Sequence, residues 1–96
     1  MASTTYDQVR SAAVSSVNSV ASNVLLVAER RGRCGVSVYN SSTAILYIKL
    51  GSAASTSDYS VAVAASGYYE TPFGYTGSIY GIWASSNGSA KVTEIY

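Results

Sequence analysis

The side chains in this chain that could carry a reaction are few and scattered. There is no histidine, which removes the commonest general base. The carboxylates Asp7, Glu29, Asp58, Glu70 and Glu94 each stand alone, in or beside an expected loop or chain end. Two of them facing each other across a cleft would suit glycoside hydrolysis, but isolated acids of this kind read as solvated surface groups. Cys34 is the single cysteine, so no internal disulfide and no cysteine metal cluster can form. Flanked by Gly35 and Val36, it reads as a small buried hydrophobe rather than a nucleophile. Gly74, Gly77 and Gly81 fall in a tyrosine-rich turn and strand, not between a strand and a helix, and so make no phosphate cradle. The residues therefore point to no catalytic group, no cofactor and no metal.

Binding chemistry is better represented. Arg30, Arg31 and Arg33 form a short basic cluster, yet the net charge is only +1 and charged residues make up 11% of the chain. That balance gives no field to attract nucleic acid or acidic lipid, so the cluster reads as a solvated turn or a contact to protein carboxylates. The nine tyrosines are more informative. A tyrosine joins a large apolar body to a polar tip, which suits surfaces that are dry in one state and wet in another. Tyr59 and Tyr80 read as core-filling, whereas Tyr68, Tyr69, Tyr75 and Tyr96 lie in turns or at the terminus. With the outward apolar residues Ile45 and Tyr47 and the three arginines, those four make up the expected protein interface. Such rings can also stack sugars or bases. Two matches to the glycosylation acceptor pattern, at Asn40 and Asn87, are of the kind short polar turns produce by chance.

The elements that position these residues follow from composition. A chain of 96 residues supplies one domain, since single cores usually serve about 100 to 150 residues. Its core is thin, and with no disulfide or metal to reinforce it, oligomerisation is the remaining reinforcement. No apolar run approaches the roughly 20 residues that span a bilayer, and Met1 to Arg10 lacks the apolar segment of a secretory signal. Synthesis and folding in the cytosol are expected. Val, Ile and Tyr alternating with Ser, Ala, Thr and Gly favour strands throughout. Val9, Ala13, Val17, Val20 and Val24 have helical spacing, but the interleaved serines with Asn18 and Asn23 compete with a helical backbone. Residues 1–23 are thus expected as an extended arm or strand-like pieces, and 24–96 as the β domain. Val24 to Ala28 reads as a strand buried on both faces and Glu29 to Arg33 as a turn. A strand then runs from Cys34 to Tyr39, Asn40 to Thr43 form a hairpin turn, and Ala44 to Leu50 form the next strand, with Leu46, Ile48 and Leu50 on one face and Ile45, Tyr47 and Lys49 on the other. Val36, Val38, Leu46 and Ile48 are placed in the core by period-two alternation. Further strands follow at Tyr59–Ala64, Ser78–Trp83 and Ser89–Tyr96, with continuity broken at Pro72. The expected fold is all-β: a small antiparallel sandwich or barrel of about six or seven strands.

Three stretches carry a resemblance: V-S-V-Y-N-S-S-T-A-I-L-Y-I-K-L-G from Val36 to Gly51, G-Y-Y-E-T-P-F-G-Y-T-G-S-I-Y-G-I-W from Gly67 to Trp83, and A-K-V-T-E from Ala90 to Glu94. Together they resemble small virion proteins of tailed bacteriophages, among them head decoration or cement proteins. The resemblance spans about two thirds of the chain and leaves out the N-terminal quarter. It implies a compact β domain, made in the host cytoplasm, that binds the major capsid protein on the outside of the shell as a homodimer or homotrimer. A tail or neck fibre module that binds host glycans through aromatic turns is the alternative.

Overall fold

The computed structural model describes residues 11–72 and 74–96. The first ten residues of the expected arm, with Asp7 among them, lie outside the described residues. Eight strands follow in order: β1 (Ala12–Asn18), β2 (Val24–Val27), β3 (Gly35–Ser42), β4 (Leu46–Leu50), β5 (Val61–Val63), β6 (Tyr68–Glu70), β7 (Ile79–Trp83) and β8 (Gly88–Ile95). The described residues contain no helix. The count exceeds the expected six or seven because residues 12–18 of the arm region form β1 and the stretch before Pro72 supplies the short β6.

All pairings are antiparallel and they nest. The fourth strand pairs with the fifth, the third with the sixth, the second with the seventh and the first with the eighth. Two further pairings, β3 with β8 and β4 with β7, roll this long hairpin into two four-stranded sheets, ordered β1-β8-β3-β6 and β2-β7-β4-β5. The result is a sandwich with the nested strand order of a jelly roll. Only the β4–β5 connection stays within one sheet, so the expected hairpin at Asn40–Thr43 is instead a crossing from one sheet to the other. β3 continues through Ser42, and Asn40 is fully buried.

The core lies between the sheets. Val36, Val38, Ala90 and Val92 face inward from the first sheet, and Leu26, Leu46, Ile48, Val63, Ile79 and Trp83 from the second. Each of the valine, leucine and isoleucine side chains contributes roughly 1.5–3 kcal/mol by burial. Gly81 makes room for two of them, because a Cβ there would stand 3.0 Å from both Leu26 Cδ1 and Leu46 Cδ1. Gly88 opens β8 with φ at +115° and its missing Cβ 2.5 Å from the Ser41 carbonyl oxygen, a place only glycine fits.

Two expectations about burial change here. β2 pairs on one side only, with β7, and is therefore an edge strand rather than one buried on both faces: Leu26 points inward while Leu25 is 42% exposed. Tyr59 and Tyr80 do not fill the core. Tyr59 is 43% exposed, and Tyr80 lies on the outer side of β7 between the inward residues Ile79 and Gly81.

Candidate interaction surface

The two outer faces of the sandwich differ in how continuous their apolar side chains are. On β7 the inward positions are Ile79, Gly81 and Trp83, which turns Tyr80 and Ile82 outward. On β4, Leu46 and Ile48 face inward, so Tyr47 and Lys49 face outward. Register sets these side chains beside one another. Tyr47 lies between Ile82 and Ala62, and Tyr80 between Leu25 and Lys49. Ile45, 41% exposed, extends the face at one end. Tyr59 covers Tyr47 with ring centroids 4.7 Å apart at an interplanar angle of 53°, in the tilted geometry that aromatic pairs favour. Lys49, the one cation of this face among the described residues, is neutralised by Asp58. The outer face of the β2-β7-β4-β5 sheet is thus a continuous surface of Leu25, Ile45, Tyr47, Tyr59, Tyr80 and Ile82.

The opposite outer face is mixed, with serine, threonine, lysine and glutamate side chains interleaved with the exposed Val14, Tyr39 and Tyr68. Its rows, read across β1, β8, β3 and β6, are Val14, Thr93, Ser37 and Glu70, then Ser16, Lys91, Tyr39 and Tyr68. Lys91 Nζ donates to Ser16 Oγ at 3.1 Å, and the Tyr68 hydroxyl donates to Glu70 Oε2 at 2.6 Å. That bond, more than any other influence, raises the Tyr68 phenol above the ordinary tyrosine value of 10.0. Beside it lies a shallow groove of about 370 Å³, lined among others by Gly35, Ser37, Tyr68, Glu70, Thr71 and Ile95.

The arginine cluster is divided by the fold. Arg30 reaches Glu94 Oε1 at 3.0 Å and lies 3.4 Å over the ring of Tyr96. Arg31 is exposed. Arg33 belongs to no surface, since its side chain is 0% exposed. Its guanidinium donates to Glu94 Oε2 at 3.1 Å and to the carbonyl oxygens of Ala28, at 2.8 Å, and Gly77, at 2.5 Å. A buried guanidinium tied to three chain segments serves as an internal strut and is withdrawn from any docking role.

The remaining tyrosines separate in the same way. Tyr69 and Tyr75 pack against the core, the former with its phenol raised by burial, the latter donating to the Ser78 carbonyl oxygen at 2.8 Å. Tyr68 alone of the four turn and terminal tyrosines is broadly exposed. Of the nine residues expected at an interface, Ile45 and Tyr47 come together on the apolar face, where Leu25, Tyr59, Tyr80 and Ile82 join them. The signal for Tyr80 and Ile82 was present in the run Ile79–Trp83, where the alternate positions are apolar on both sides.

Cys34 is half-buried, and among the described residues no group of three His, Cys, Asp or Glu side chains gathers. No protein-family model, curated protein or solved structure matches this chain. The class that the fold and the surface define is a small two-sheet β-sandwich with one apolar and one mixed outer face.

Proposed function

We propose that this protein is a decoration, or cement, protein of a bacteriophage capsid, docking on the outer surface of the major capsid protein shell. One observation carries the reading: the outer face of the β2-β7-β4-β5 sheet is aromatic and aliphatic, with its lysine already paired, while on the opposite face the exposed Val14, Tyr39 and Tyr68 are broken up by hydroxyls and charges. Monomeric proteins rarely leave contiguous apolar patches of this kind uncovered, and tyrosine-rich patches are typical of protein interfaces. A continuous apolar face on one side and a mixed one on the other suits attachment to a lattice with the second face toward solvent. The strand order adds weaker support, since jelly rolls recur in viral capsid and lectin domains, and a fold by itself does not define a function. The resemblance to small virion proteins agrees with the reading.

Intact particles from a culture that makes this protein test it. Immunogold labelling and quantitative mass spectrometry should find it on the head in many copies. Recombinant wild type should rebind to stripped heads, and Ile45→Lys or Tyr47→Glu should lose at least about tenfold in affinity, since each removes a buried contact worth more than about 1.4 kcal/mol. Absence from particles, or rebinding untouched by both variants, would sink the reading.

The groove beside Tyr68 supports a second reading, a tail or neck fibre module that binds host glycans. An exposed ring next to a carboxylate and hydroxyls offers stacking and hydrogen bonds to a sugar. Location on the tail, with glycan binding lost in Tyr68→Ala, would decide for it.

A further inference from the structure

The four sheet edges of this sandwich are not protected equally. The β2 edge is four residues long and its register with β7 shifts between Leu25 and Val27. The β5 and β6 edges are three residues each, and β6 is followed closely by Pro72. Shortness, bulges and proline are devices by which sheet edges avoid pairing with other chains. β1 has none of them. It runs seven residues with unbroken register against β8, and its sequence, Ala-Ala-Val-Ser-Ser-Val-Asn, carries neither charge nor proline. Val14 is 68% exposed, and even the inward-facing Ala13 and Ser15 are open to solvent.

The hydrogen-bond parity of β1 states what its free edge offers. Ser11 and Tyr96 exchange both backbone bonds, at 2.8 and 2.9 Å, and the Ser19 N–H donates to the Gly88 carbonyl oxygen at 2.9 Å. In an antiparallel ladder such pairs alternate, so the odd-numbered residues spend their backbone groups on β8. Ala12, Val14, Ser16 and Asn18 therefore turn N–H and C=O away from the molecule. β1 has no second neighbouring strand among the described residues.

We propose that this edge pairs with the β1 edge of a second copy of the chain, antiparallel about a twofold axis at Ser15, to form one continuous sheet across the dimer. An antiparallel pairing must set outward-bonding residues opposite one another. Of the registers that satisfy this, the one centred on Ser15 engages all four: Ala12 faces the second copy's Asn18, and Val14 its Ser16. Each pair exchanges two bonds, about eight in total. The side chains fit the same register. Val14 lies opposite a serine on one face, Ala13 opposite Val17 on the other, and Ser15 meets its own copy. With no charge on the strand, the symmetry sets no like charges together. The surface that pairs is isologous and closed, and backbone addition at an edge is an established mode of association. This inference does not depend on the shell reading.

Cross-linking of the full chain tests the register. In a Cys34→Ser background, Ser15→Cys places two thiols at a non-hydrogen-bonded pair, where Cα atoms stand about 4.5 Å apart, within disulfide reach. Ser16→Cys places them on a diagonal, roughly 7–8 Å apart, beyond it. Under mild oxidation Ser15→Cys should convert largely to covalent dimer and Ser16→Cys should not. Ser16→Pro removes an outward N–H without touching the β8 ladder, so it should sediment as a folded monomer where wild type is a dimer. If that variant does not fold, Val14→Lys decides instead, since it sets two cations beside the axis on an otherwise unchanged surface. Ile45→Lys, on the opposite sheet, should leave the cross-link unchanged, so loss of shell docking and loss of this pairing are read separately. Monomeric wild type at all concentrations would overturn the proposal. So would equal cross-linking of the two cysteine variants, or dimerisation unaffected by both Ser16→Pro and Val14→Lys.

Discussion

Trp83 donates its indole N–H to Asn40 Oδ1 at 3.1 Å, a bond that crosses the core from one sheet to the other. The same Asn40 oxygen accepts from Ser42 Oγ at 2.7 Å, and the amide nitrogen donates to the carbonyl oxygens of Ala44, Val63 and Ala64 at 2.8–3.1 Å. One fully buried amide thereby satisfies the chain where it leaves β3 and where it leaves β5. Buried polar groups left without partners cost about 1–3 kcal/mol each. Asn40→Ala should therefore destabilise the fold by about 3 kcal/mol or more in urea unfolding. Trp83→Phe would mix this bond with lost volume, and Asn40→Asp, which sets a buried carboxylate against the carbonyls of Ala44, Val63 and Ala64, should cost at least as much as Asn40→Ala. A loss under about 1 kcal/mol for Asn40→Ala would show that the amide is a passenger.

Arg33 makes the second buried polar centre. Its side chain has no exposure and that of Glu94 only 14%, so removing Arg33 leaves Glu94 to Arg30 alone and takes the guanidinium donor from the Ala28 and Gly77 carbonyls, at about 1–3 kcal/mol for each buried group left without a partner. Arg33→Ala should show a loss of that size. Arg33→Lys should recover only part of it, because an ammonium cannot span the carboxylate and two carbonyls with the planar fork of a guanidinium. Full recovery by lysine would mean that charge alone, not the fork, holds the segments together.

These two centres mark where the sequence was legible and where it was not. Val36, Val38, Leu46 and Ile48 were assigned to the core from alternation alone, and all four are buried. Alternation is a local signal that burial on one face imposes directly. Asn40 read as a turn former because Asn, Ser, Ser and Thr follow one another, and Arg33 read as surface because charged residues usually are. What overrides both is a set of partners far along the chain, Trp83 and Val63 for the one, Glu94 and Gly77 for the other. No window of sequence contains them. Leu25 misled for a related reason: an apolar run does not say whether both of its faces are covered by the protein itself. The apolar outer face was half legible, through Ile45 and Tyr47, and completed only when register put Tyr80 and Ile82 beside them.

Alkaline pH should weaken the fold in a defined window. Tyr69 is raised by burial, and Tyr68 chiefly by its hydrogen bond to Glu70. A raised phenol keeps its proton in the folded state where the unfolded chain would lose it. The associated stability is fully present below the ordinary tyrosine value of 10.0 and is lost as pH climbs through the raised values. Stability measured by urea should thus be level with respect to these groups from neutral pH to about 9 and fall above about 10. Tyr69→Phe should reduce that fall, and Glu70→Gln should lower the Tyr68 midpoint in an ultraviolet titration. An unchanged Tyr68 midpoint in Glu70→Gln would dismiss the hydrogen bond as the cause.

Amide exchange along β1 offers the last prediction, and it reads single residues. In the isolated chain the odd-numbered amides, Ala13, Ser15 and Val17, donate to β8, whereas those of Val14, Ser16 and Asn18 face away from it. Protection should alternate at dilution, with the odd amides slowed and the even ones exchanging near the rate of an open chain. Slowing at every position would mean that another segment already covers the edge. The strand gains little from its own sheet, because Val17 is its one side chain packed against the core. A net of about 0.5–1.5 kcal/mol per hydrogen bond barely offsets about 1–2 kcal/mol of backbone entropy per ordered residue. Even the odd amides should therefore exchange by local opening well before global unfolding. Raising the protein concentration should then slow the even amides selectively, as the second copy engages their N–H groups, and deepen protection of the odd ones by holding the strand in place. Concentration-independent exchange at Val14 and Ser16 would leave β1 a bare edge and return the question of what guards it to the side chains of its outer face.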